Sequence, residues 1–162
     1  MNATHAIVVP FEELAPVVDG LRERTCVSKP SHGMPPHVTL LYPAPGDVDA
    51  IAEVLVAFVA FDVVFARLDR FPGTLWLAPE PAEPFRRVIE ALVRRFPEHR
   101  PYDGAFAEIV PHLTVAQSGL DEAVSRLEPS LPLRSRARRA VLLEQAQPDQ
   151  WREVAAFELE DS

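Results

Sequence analysis

The sequence predicts an α+β protein with antiparallel or mixed sheets, arranged as two related lobes that face one cleft. Three observations carry this expectation. Helical segments are interleaved with hairpins, which is not the pattern of a doubly wound parallel sheet. A short pattern occurs twice, as Pro36-His37-Val38-Thr39-Leu40-Leu41 and Pro111-His112-Leu113-Thr114-Val115, with one copy in each half of the 162 residues. The balance of 48% apolar and 25% charged residues is that of an ordinary globular chain. A chain of this length buries about 70% of the surface its unfolded form exposes, so one domain spanning 1–162 is expected to hold a core without staples.

The elements follow from periodicity and punctuation. Residues 5–9, His-Ala-Ile-Val-Val, are rich in β-branched side chains and predict a strand. Leu14, Val17, Val18 and Leu21 share one helical face, and Pro16 fits only near the start of that helix. The loop 28–36 is rich in turn residues and delivers the first motif, a strand that ends at Pro43. Asp47 or Asp49 can cap a second helix, with Val48, Ile51, Leu55 and Phe58 expected to face the core. Residues 61–68 read as a strand, joined through Phe71-Pro72-Gly73 to a hairpin partner at 74–77.

The third helix has the clearest stripe, Phe85, Val88, Ile89, Leu92, Val93 and Phe96, with Pro84 in its first turn. Residues 97–110 are an irregular connection to the second motif strand. A short helix at 121–127 follows, and two strands, 137–145 and 151–159, close the chain.

Composition excludes several function classes. The net charge of −8 argues against a broad basic surface for duplex DNA, since each phosphate contact asks for a Lys or Arg. A small pocket for one or two phosphates is compatible with it. The longest apolar run, Val54 to Phe61, is far shorter than the roughly 20 residues a membrane helix needs, so no membrane partner is expected. The N-terminal residues do not read as a signal peptide, and the single Cys26 has no partner for an internal disulfide. These features point to the cytoplasm.

The repeated triplet carries the chemistry. In a strand, residues i and i+2 share a face, so His37 projects with Thr39 and His112 with Thr114. Val38, Leu40, Leu113 and Val115 point the other way, into a core. Two such strands across a cleft would gather two imidazoles and two hydroxyls. A neutral His takes a proton from a nucleophile while a protonated one gives a proton to the leaving oxygen, and histidine populates both forms near neutral pH. The hydroxyls can donate to phosphate oxygens as charge builds. This set suits phosphoryl transfer without a cofactor. Neither motif has a second His or a Cys at ligand spacing, so no metal site is expected.

These residues carry a family resemblance. The paired His-apolar-Thr motifs, with Gly33-Met34-Pro35-Pro36 before the first and Ala116 after the second, resemble the 2H phosphoesterase superfamily, which includes the 2′–5′ RNA ligase-like proteins. The resemblance implies a bilobal, pseudo-symmetric fold: two mostly antiparallel sheets flanked by helices around a central cleft. It implies action on 2′,3′-cyclic phosphates or 2′–5′ linkages, with a nucleotide or an RNA terminus as substrate. Carried over, His37 and His112 are the acid–base pair, and Thr39 and Thr114 hold the phosphate. Several members carry a basic residue just after the second motif, where this chain has Gln117; another Arg could substitute, and the sequence does not say which. The alternative is a nucleotide-binding sensor that uses the same groove without turnover. A monomer is expected.

Other residues read more plainly. His5 alternates with Ile7 and Val9 and is expected to be structural. Tyr42 and Trp76 are candidates for stacking on a base, worth roughly 1–3 kcal/mol. Arg134, Arg136, Arg138 and Arg139 form a basic run near the last strands, either a solvated edge or a phosphate contact.

Overall fold

A computed structural model describes residues 3–99 and 109–161. In chain order they form β1 (Thr4–Pro10), α1 (Ala15–Thr25), β2 (His37–Ala44), α2 (Val48–Leu55), β3 (Phe61–Phe71), β4 (Thr74–Glu80), α3 (Glu83–Arg95), β5 (Leu113–Ala116), α4 (Leu120–Leu127), β6 (Leu133–Ala137), β7 (Arg139–Gln147) and β8 (Gln150–Glu158). Local rules explain most boundaries. Pro sits in the first turns of α1 and α3, where a missing N–H is harmless. Asp47 caps α2, its carboxylate accepting from the Ala50 N–H at 3.1 Å. Gly73, at φ 76°, makes the turn between β3 and β4.

The strands form two four-stranded sheets, ordered β2-β1-β7-β8 and β5-β4-β3-β6. Every ladder between the named strands is antiparallel. The two sheets repeat one plan. In each, a strand, a helix and a motif strand follow in sequence, and the motif strand pairs antiparallel with the first. Thus β1-α1-β2 corresponds to β4-α3-β5, and each motif strand lies at a sheet edge. The helices are exchanged between the units: α1 packs against β5 and α3 against β2, while the two motif strands approach each other.

One large core joins the sheets. Ile7, Val9, Val38, Leu40 and Leu41 from the first sheet pack with Phe65, Leu75, Leu77, Leu113 and Val115 from the second. Phe11 links them at its edge contact with Phe65, ring centres 5.2 Å apart and nearly perpendicular. A smaller cluster of Ala6, Val8, Met34, Val141 and Leu143 lies apart, with Tyr42 and Trp151 packed on it. Alternation fixes the register. A one-residue slip of β2 would exchange Val38 and Leu40 with His37 and Thr39, forfeiting about 1.5–3 kcal/mol for each aliphatic side chain brought out.

Two expectations need correction. Val48 does not face the core: it is 40% exposed in the first turn of α2, and Ala50 takes the buried place instead. The chain ends in three strands, not two, because Leu133–Ala137 forms β6 beside β3. That segment, Leu-Arg-Ser-Arg-Ala, has little apolar alternation, as expected of an edge strand guarded by charge. Of the connection expected at 97–110, residues 100–108 lie outside the described residues.

Candidate active site

The histidines arrive at matching positions. His37 opens β2 and His112 immediately precedes β5. Both are half-buried, as are Thr39 and Thr114, while Val38, Leu40, Leu113 and Val115 between and beyond them are buried. The alternation expected of the triplet is therefore present in both copies. In the ladders, Thr39 stands opposite Val8 and Thr114 opposite Trp76.

Each imidazole is oriented in the same way. His37 Nδ1 lies 2.8 Å from the Pro35 carbonyl, and His112 Nδ1 lies 2.7 Å from the Val110 carbonyl, both two residues back. A carbonyl oxygen can only accept, so Nδ1 carries the proton in each ring and donates it. Nε2 is then the nitrogen left for chemistry, and among the described residues neither Nε2 has a partner. The Phe11 N–H donates to the Pro36 carbonyl at 2.7 Å and pins the residue before His37. Neither threonine hydroxyl bonds a described residue.

The electrostatic settings differ. Burial pushes the His37 pKa down to about 4, with further lowering from the cations of Arg22 and His112 and a partial offset from the bond to Pro35. Burial also lowers His112, opposed by its bond to Val110. His112 is wedged against Phe71 and Trp76, ring centres 5.0 and 5.8 Å away and ring planes inclined at 85° and 62°. Both rings therefore resist protonation in the free protein, and both would become more basic beside a bound phosphate anion.

Sequence reasoning misses Arg22. It is 1% exposed, the one fully buried charged side chain among the described residues. Its signal is its position four residues after Val18, which places a charge on the apolar face of α1.

The other candidates separate cleanly. Gln117 is exposed, and its side-chain carbonyl accepts from the Val27 N–H at 2.6 Å while its own N–H donates to Thr25 Oγ1 at 3.3 Å. It ties the end of β5 to the end of α1, a task that needs an acceptor which Lys and Arg lack. Trp76 is 5% exposed, and its ring packs on Phe71 as well as His112, so it offers no open face to a base. Its Nε1 is buried without a hydrogen-bond partner among the described residues. Tyr42 rests edge-on against Trp151, ring centres 6.1 Å apart.

The basic run is largely neutralised. Arg136 pairs with Asp62 and Asp161, Arg138 with Glu13, and Arg139 with Glu12 and Glu153. His5 Nε2 lies 3.2 Å from Glu144 Oε2. Burial raises the Cys26 thiol pKa and leaves it a poor nucleophile. Among the described residues, no three His, Cys, Asp or Glu side chains are grouped to hold a metal.

Two antiparallel sheets whose motif strands meet at their edges, each bringing one carbonyl-oriented imidazole and one hydroxyl, define a bilobal α+β protein of the 2H phosphoesterase type. The sequence profile of the 2′-5′ RNA ligase superfamily matches residues 10–149, and the chain belongs to that family. Solved structures agree in fold. Escherichia coli LigT complexed with 3′-AMP is 12% identical, with a TM-score of 0.60, the match covering 97% of this chain and 98% of that one. The protein TT0787 of Thermus thermophilus is 18% identical over the whole of both chains, with a TM-score of 0.62. A protein described as a phosphoesterase is 12% identical over 99% of this chain and 100% of its own, with a TM-score of 0.63. No curated protein matches the sequence.

Proposed function

We propose that the protein is a metal-independent phosphodiesterase acting on 2′,3′-cyclic phosphates of nucleotides or RNA ends, or on 2′–5′ linkages. The observation that carries this reading is the pair of imidazoles, each bound through Nδ1 to a carbonyl two residues back and each without an Nε2 partner among the described residues. One Nε2 takes a proton from water as it attacks phosphorus, and the other gives a proton to the departing ribose oxygen. Thr39 and Thr114 donate to the non-bridging oxygens and stabilise the charge that develops there. Structures of the similar fold in E. coli LigT hold 3′-AMP, NADP+ and ATP, which supports a nucleotide-sized substrate.

The rival reading, a nucleotide sensor without turnover, uses the same groove. Hydrolysis of a panel of 2′,3′-cyclic mononucleotides in the presence of a chelator separates the two. Product formation that survives the chelator is expected. Binding without product would favour the sensor, and activity abolished by the chelator would overturn the metal-independent mechanism.

A further inference from the structure

We infer that Arg22 and Gln117 are positioning residues, the two ends of a brace through α1 that holds His37 in place against His112. This rests on the phosphodiesterase reading above.

Pro35 and Pro36 have no N–H, so the two residues before His37 can be hydrogen-bonded only through their carbonyls. Three carbonyls in a row each accept a bond. Met34 accepts from Arg22 Nη2 at 2.8 Å, Pro35 from His37 Nδ1 at 2.8 Å, and Pro36 from the Phe11 N–H at 2.7 Å. The middle carbonyl orients the imidazole. Its neighbours are fixed on one side by α1 and on the other by the residue that follows β1.

A buried guanidinium forfeits several kcal/mol of hydration unless its donors are satisfied. Arg22 satisfies them on the loop that delivers His37. Besides Met34, Nη2 donates to the Ser28 carbonyl at 3.1 Å, and Nη1 donates to Asp19 at 2.7 Å. The planar fork thus grips both ends of the loop, residues 28 and 34, from one helix, a geometry that the single nitrogen of Lys does not reproduce.

The other end of the brace lies at the second motif. The helix α1 packs against β5, the strand that His112 immediately precedes. Just past β5, Gln117 Oε1 accepts from the Val27 N–H at 2.6 Å, and the Gln117 N–H donates to Thr25 Oγ1 at 3.3 Å. Thr25 Oγ1 donates in turn to the Leu21 carbonyl at 2.8 Å, in the turn that carries Arg22. Contacts therefore run from His112 along β5 to Gln117, through the last turn of α1 to Arg22, and by Met34 and Pro35 to His37. The strands β2 and β5 belong to different sheets, so no ladder among the described residues sets one imidazole against the other. A misplacement of about 1 Å costs a reaction roughly 100-fold, which is what such a brace prevents.

The test combines kcat and KM on a 2′,3′-cyclic mononucleotide with NMR of the imidazole nitrogens, which reports the tautomer of each ring. In Arg22→Met, His37 is expected to pass from the Nδ1–H form to a mixture of tautomers while His112 keeps its own. The kcat should fall roughly 10- to 100-fold, with KM changing less. Gln117→Leu should lower kcat roughly 10-fold, and Gln117→Glu, which keeps an acceptor for Val27, should recover most of that loss. Gln117→Lys has no acceptor and should behave like Gln117→Leu. Because the two ends act in series, Arg22→Met combined with Gln117→Leu should lose little beyond Arg22→Met alone. The Gln117 variants alter an exposed side chain, so they decide the matter if Arg22→Met fails to fold. An unchanged His37 tautomer in a folded Arg22→Met protein, a Gln117→Lys rate at or above wild type, or losses that multiply in the double variant would overturn the inference. A wild-type protein that hydrolyses no cyclic phosphate would overturn the parent reading alone, since the tautomers are read without turnover.

Discussion

Burial holds the His37 imidazole near a pKa of about 4, so the folded chain refuses a proton that the unfolded chain accepts from about 6.5 downward. Between those values the unfolded state binds more protons, and stability rises with pH. The contribution is fully present above 6.5 and is lost as the pH falls to 4, with a slope of at most about 1.4 kcal/mol per pH unit. Urea titrations from pH 7 to 4 should show this loss in the wild type and a smaller one in His37→Gln. The threonines make a different prediction. Val keeps the shape and the strand preference of Thr, so Thr39→Val and Thr114→Val should melt close to the wild type. Each should still lower kcat roughly 100-fold on a cyclic nucleotide, because a donor to the developing oxyanion is gone. The triplets were legible in the sequence because a strand's two-residue period converts spacing directly into a shared face. Arg22 was not, because a charge within an apolar stripe reads as solvated until its carbonyl partners are placed. Gln117 read only as a missing cation; its role depends on Val27, which is remote in sequence.

At the scale of elements, the loop between α1 and β2 is the most constrained by the site. Gly33 sits at φ 86°, and a Cβ there would run into the Trp151 carbonyl oxygen. Backbone meets backbone at this point, so no side-chain rotation relieves a larger residue. Gly33→Ala should cost about 1–3 kcal/mol, read as a lowered denaturation midpoint, and should lower kcat because Met34 and Pro35 follow directly. The loop's Gly and Pro content announced a turn, but its seat on β8 involves pairing across most of the chain. The helices were legible in proportion to their stripes. The stripe of α3 placed Phe85, Val88, Ile89 and Leu92 correctly, while the shorter α2 misled at Val48. The strand β6 escaped notice because its Arg-Ser-Arg centre lacks the apolar alternation that marks a half-buried strand.

At the scale of the whole molecule, the repeat in the text corresponds to a repeat in space. Each strand–helix–motif strand unit ends on a sheet edge, and the exchange of α1 and α3 binds the two units together at the site. The two-lobe expectation drew on the triplet and on the family resemblance, since the rest of the two halves shows little likeness in sequence. The exchange of helices was invisible because it is set by packing between elements remote in the chain. The central claim is that one imidazole from each unit serves a single reaction. The most direct measurement is kcat on a 2′,3′-cyclic mononucleotide, with chelator present, for His37→Ala, His112→Ala and the double variant. If the two act in one step, each single variant loses roughly 1,000-fold or more and the double variant loses little beyond that. Wild-type rates in either single variant would contradict the account.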